Sequence, residues 1–113
     1  MTQNKTYQHQ NLANGRWFEL SLIEQLANVG SEIERTMSWR EKNKEFSDKA
    51  FIRALELLEL TINDPKNKKR LKELTRVRET LIDYFSFDNE YNSSDSLWHK
   101  YFFPFNWAAR VNR

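Results

Sequence analysis

Apolar residues recur along this chain at spacings of three and four, the period of a helix that turns one face to a core. Leu22, Ile23, Leu26, Val29, Ile33 and Met37 form one such stripe and predict a first helix from about Asn14 to Lys42. Gly30 lies within the stripe. Glycine costs about 1 kcal/mol relative to alanine in a helix, so its presence suggests that another backbone approaches closely there. Trp17 and Trp39 fall roughly opposite the stripe at about 100° per residue and need a cover. That cover is either the tail or C-terminal segment of the same chain or a partner.

A second stripe, Phe51, Ile52, Leu55, Leu58 and Ile62, is widened by Ala50, Ala54, Leu57 and Thr61. It predicts a helix from about Phe46 or Ser47 to Asn63 that touches two neighbours. Asp64-Pro65 then reads as an N-cap followed by proline at the first helical position, where the missing N–H costs nothing. The third helix, reaching Phe87, places Leu71, Leu74, Val77, Leu81 and Phe85 on one face. Arg78 falls inside this stripe. Either it snorkels to the edge of the core or an acid meets it, and Glu34, at the margin of the first stripe, is the candidate partner.

After Phe85 a polar loop runs to Ser94 or Asp95, which caps a fourth helix. Pro104 predicts a break or kink there, because the residue before a proline is biased out of the helical region. Ten of the sixteen aromatic residues lie between Tyr84 and Trp107, too many for one four-helix core. Trp98, Tyr101, Phe105 and Trp107, with Trp17 and Trp39, are therefore candidates for an interface, the alternative being an aromatic lid that completes the monomer. The expected fold is all-α, an up-and-down bundle of four helices with the last kinked or broken at Pro104. Residues 1–13, rich in Gln and Asn, read as a flexible tail, and residues 14–113 as one domain.

Charge adds a second theme. From Lys66 to Arg78 there are seven basic residues against Glu73, whereas Glu79 to Asp95 holds five acids and no base. This order opposes the helix macrodipole, at about 0.3–1 kcal/mol for each well-placed charge. Lys66, Lys68, Lys69, Arg70, Lys72 and Arg76 form a candidate edge for an anionic partner, with nucleic acid the specific alternative. Lys68, Lys72 and Arg76 would stand about 6 Å apart on a regular helix. The other reading is a solvated face.

Composition narrows the chemistry. The chain has no cysteine and two histidines, His9 and His99, so thiolate chemistry is excluded and a histidine-based metal or catalytic cluster is not expected. Glycine-rich phosphate loops, Ser/His/Asp sets and EF-hand loops are missing from the sequence. No cofactor and no enzymatic activity are expected. No run approaches the ~20 apolar residues of a membrane span, and the opening residues lack the apolar core of a signal peptide. The expected setting is cytoplasmic, without a membrane partner.

Three resemblances accompany this reading. Arg78-Glu-Thr-Leu-Ile-Asp83-Tyr84 resembles the Arg-x4-6-His helix motif of the HEPN family of helical ribonucleases and nucleotidyltransferase partners, with Asp83 at the catalytic His position. Gly30-Ser-Glu-Ile-Glu-Arg35, Arg53-Ala-Leu-Glu-Leu-Leu58, Arg70-Leu-Lys-Glu-Leu74 and Phe105-Asn-Trp-Ala-Ala-Arg110 together look like a group of short bacterial helical proteins of uncharacterised function. The ending Trp107-Ala-Ala-Arg-Val-Asn-Arg113 is similar to the C-termini of four-helix-bundle accessory proteins of diversity-generating retroelements. That last resemblance implies basic oligomers that engage nucleic acid. The functional expectation is a non-enzymatic interaction module that self-associates or joins a larger assembly. The alternatives are a nucleic-acid-binding accessory protein using the third helix's basic edge and, behind it, a HEPN relative lacking its His.

Overall fold

A computed structural model describes residues 15–111. The tail expected at residues 1–13, with His9, lies outside the described residues, as do Asn112 and Arg113. Among the described residues the protein is all-helical, with no strand. Its four α-helices are α1 (Leu22–Trp39), α2 (Lys44–Ile62), α3 (Leu71–Ser86) and α4 (Asp95–Val111). Short 3-10 segments at Arg16–Glu19 and Pro65–Arg70 precede α1 and α3.

Local signals account for most boundaries, and the structure departs from expectation at the first helix start, at Pro65–Arg70 and at Pro104. The first helix does not start at Asn14. Ser21 accepts a hydrogen bond from the Glu24 N–H while the Glu24 carboxylate accepts from the Ser21 N–H, a capping box that starts α1 at Leu22. The chain upstream turns instead through Gly15, whose φ of 121° suits glycine. Asn43 caps α2, its side chain accepting from the Phe46 N–H. Asp64 caps the next segment as expected, accepting from the Lys66 N–H, but Pro65–Arg70 winds as a 3-10 helix before α3 begins. At the far end, α4 continues through Pro104 to Val111, so of the break or kink expected there the helix shows no break. Pro104 lies on the exposed side, where water can satisfy the carbonyl that loses its donor.

The core joins Leu26, Val29 and Ile33 of α1, Ala54, Leu57 and Leu58 of α2, Leu74, Val77 and Leu81 of α3, and Trp98 and Phe102 of α4. α1 packs most closely on α2 and α4. Gly30 makes the second packing possible: a Cβ there would stand 2.7 Å from the Phe102 Cβ, close to the α4 backbone. The close approach expected of this glycine is thus realised. Cross-links tie neighbouring helices at both ends. The Ser47 hydroxyl donates to the Thr36 carbonyl (2.8 Å), Phe51 meets Phe85 with ring centroids 5.0 Å apart, the Tyr101 hydroxyl donates to Glu73 (2.8 Å), and Arg40 binds Asp95.

Candidate functional site

The seam of α1 that faces α2 is more polar than its apolar stripe suggested. Gln25, Glu32 and Thr36 are all buried along it. The Gln25 amide donates to the Trp17 carbonyl (3.0 Å) and the Asp64 carboxylate (2.9 Å), and its oxygen accepts from Asn67 Nδ2 (2.9 Å). Asn67 also donates to the Thr61 carbonyl (3.0 Å), and Trp17 Nε1 to the Thr61 hydroxyl (3.0 Å). The Lys66 ammonium bridges Asp64 and the Phe18 carbonyl. This network fixes the chain entry, α1 and the α2–α3 corner together. Burial pushes the Asp64 carboxyl up, but bonds from Lys66 and Gln25 outweigh it and hold the pKa below the ordinary value. Glu32 is buried between Arg35 (3.0 Å) and Arg53 (3.4 Å).

These contacts revise several candidates. Trp17 is fully buried and Trp98 is 6% exposed, so neither is an interface residue. Trp17 lies beneath its own 3-10 turn because the chain bends at Leu20-Ser21 and does not continue α1. Tyr101 and Phe105 are half-buried against the core. Trp39 stays partly exposed, edge-to-face with Phe46. Trp98 Nε1 is buried with no hydrogen-bond partner among the described residues. The expected ion pair of Glu34 with Arg78 is also absent. Glu34 meets His99 of α4 at 2.7 Å, and the half-buried Arg78 makes no ion pair among the described residues. The reason is placement, since α4 covers the flank of α1 that carries Glu34.

The basic edge is real but not a uniform ladder. Lys66 is engaged at the corner, Arg70 pairs with Glu73 (2.7 Å), and Arg76 lies over the Tyr91 ring at 5.4 Å. Lys68, Lys69 and Lys72 make no ion pair among the described residues. Because Lys66 to Arg70 lie on the tighter 3-10 helix, only Lys72 and Arg76 keep the about 6 Å step of an α-helix. A shallow groove of about 550 Å³ runs along Lys69, Lys72 and Arg76.

Asp83 has a structural task. Its carboxylate accepts from the backbone N–H groups of Glu90 (2.9 Å) and Tyr91 (3.0 Å). Asn89 and Asn92 adopt left-handed φ of 55° and 56°, and Asn89 exchanges two bonds with the Ser93 backbone. The loop after α3 is therefore built, and it presents Phe87, 71% exposed, beside Asp88 and Glu90.

At the joint between α1, α3 and α4, Asp95 accepts from Arg40 (2.6 Å) and from the Tyr84 hydroxyl (2.6 Å). Arg40 also stacks over Tyr84 and Phe85. Burial disfavours both charges, but these bonds win, so Asp95 titrates lower and Arg40 higher than usual. On the outer side of α4, Phe103, Trp107 and Val111 follow at intervals of four and are each more than half exposed, as is Leu97. Among the described residues no group of three or more His, Asp or Glu side chains could hold a metal. No helix there is long and apolar enough to cross a membrane. In comparison with known proteins, no family model, curated protein or solved structure matches this chain.

Proposed function

We propose that this chain is a small up-and-down four-helix bundle that works by interaction, without catalysis, and that it self-associates through the outer face of α4. The up-and-down order is supported by the cross-links. Arg40 at the end of α1 meets Asp95 at the start of α4, and Tyr84 near the end of α3 meets the same residue. Phe51 early in α2 meets Phe85 late in α3. A proline inside a continuous helix supports a kink at Pro104.

The observation that carries the functional reading is the row Phe103, Trp107 and Val111, all 52–57% exposed. Together they leave a few hundred Å² of apolar surface on one helix face, the scale at which a patch marks a contact. A stable dimer buries ~800 Å² per partner, so this row would form its centre with a polar rim around it. Sedimentation of the wild type against Trp107→Glu tests the reading, because a charge at the centre of an apolar contact weakens it most. The runner-up is a nucleic-acid-binding protein. Lys68, Lys69 and Lys72, without acid partners among the described residues, favour it, and the acids that follow on α3 oppose it.

A further inference from the structure

We propose that the outer face of α3 is a second, two-fold contact between copies of this chain, in which the basic half of each α3 lies on the acidic half of the other. The inference does not depend on the α4 contact. Lys72, Arg76, Glu79 and Asp83 follow at spacings of four, three and four residues, which places them in one sector of α3 opposite buried Leu74, Val77 and Leu81. Two cations precede two acids along that row. The order opposes the macrodipole, and neither Lys72 nor Glu79 has an ion partner among the described residues. A charge order that is adverse in one chain becomes complementary in two. If two α3 helices run antiparallel about an axis beside Val77 and Arg78, Lys72 faces Asp83 and Arg76 faces Glu79, each twice by symmetry. A parallel pair would set like charges together, so the charge order also fixes the orientation.

The loop that follows extends the acidic end. Asp88 and Glu90 continue the charge, and Phe87 and Tyr91, 71% and 51% exposed, add apolar surface. Asp83, Asn89 and Ser93 hold this loop in place, so little ordering is lost on contact. In the same register the loop of one copy lies opposite Lys68 and Lys69 of the other. A single strand of nucleic acid fits the face less well, because after two or three phosphates it would run onto Glu79, Asp88 and Glu90.

The test uses the full chain carrying Trp107→Glu, to remove the α4 contact, followed by sedimentation equilibrium. One variant adds Arg76→Glu and another adds Glu79→Lys, the two residues that face each other across the axis. Asp83 is left intact because it anchors the loop. The background chain should dimerise at low salt and lose at least about tenfold in affinity between ~0.05 and ~0.5 M salt, as exposed ion pairs do. Each charge variant alone should associate at least about tenfold more weakly than the background chain with native helix content, and an equimolar mixture should restore a one-to-one dimer. A monomeric background, an association indifferent to salt, or a mixture that fails to pair would overturn the proposal. Should a charge variant fold poorly, the salt response of the background chain decides alone. Binding of a single-stranded oligonucleotide, lost in the first variant and strengthened in the second without any pairing of the mixture, would assign the face to nucleic acid instead. Wild-type association unchanged by Trp107→Glu would count against the α4 contact and leave this one standing.

Discussion

Replacing Gln25 with leucine keeps nearly the same volume and removes the hub of the corner network. Gln25 is fully buried and makes three hydrogen bonds, to the Trp17 carbonyl, Asp64 and Asn67. After the change Asp64 keeps Lys66, and Asn67 keeps the Thr61 carbonyl, so neither is stripped bare. The buried Trp17 carbonyl still accepts from Leu20 N, but only at the edge of its turn. Losing three buried hydrogen bonds, two neutral at ~0.5–1.5 kcal/mol each and one to a carboxylate at ~1.5–3 kcal/mol, partly offset by leucine's burial, gives a net loss of about 2–4 kcal/mol. That is a large share of the ~5–15 kcal/mol of a typical domain. Urea unfolding followed by circular dichroism reads it directly, with the midpoint falling at unchanged slope. A loss below about 0.5 kcal/mol would refute the idea that the network holds the corner, since a fully satisfied set and an apolar substitute would then be equivalent.

Other outcomes follow from the same geometry. The Asp64, Glu73 and Asp95 carboxyls all titrate below their ordinary values, so the unfolded chain binds more protons in acid. The stability they contribute is present above the unfolded pKa and is lost as pH falls through the ordinary carboxylate range and below it; Asp64→Asn should flatten this acid slope in urea titrations from pH 6 to about 3. Gly30→Ala gains helix propensity but forces α4 outward by way of the Phe102 Cβ, and overpacking of ~1–3 kcal/mol should outweigh the ~1 kcal/mol gained. Thermal melting higher than wild type would contradict it. Glu34→Leu and Arg78→Leu should add within about 0.5 kcal/mol in a double-mutant cycle, because Glu34 is engaged with His99; a larger coupling would bring back the pair.

Much of this fold was legible from periodicity and capping residues. The apolar stripes located the first three helices, the Ser94 or Asp95 cap located the fourth, Asp64-Pro65 located the corner, and Gly30 marked a close approach, which the structure gives to α4. What escaped was polar. Gln25, Glu32 and Thr36 lie on the α2-facing seam of α1, and a search for apolar residues passes over such positions even though their spacing with Val29 is helical. The capping box at Ser21 and Glu24 was present as Ser-x-x-Glu and would have placed the bend that buries Trp17. Glu34 was chosen as the candidate buried acid where Glu32 holds that place, because residues two positions apart along a helix differ by about 200°, slightly more than half a turn, and only the neighbouring helices decide which side is covered. The 3-10 winding of Pro65–Arg70 left no signal in the stripe, since it carries no apolar residue. On α4, the exposed row of Phe103, Trp107 and Val111 was only partly foreseen, with Trp107 alone among the three named as a contact.

The central claim is that α4 mediates self-association, and sedimentation equilibrium at about 0.5 M salt isolates it, because charge contacts are screened to within a few ångströms there while apolar contacts persist. The wild type should remain associated under these conditions, and Trp107→Glu should weaken the association by about 30-fold or more, the ~2 kcal/mol expected of a central anchor. A wild type that is monomeric at every concentration up to ~0.1 mM, or a Trp107→Glu chain that associates as the wild type does, would contradict the account.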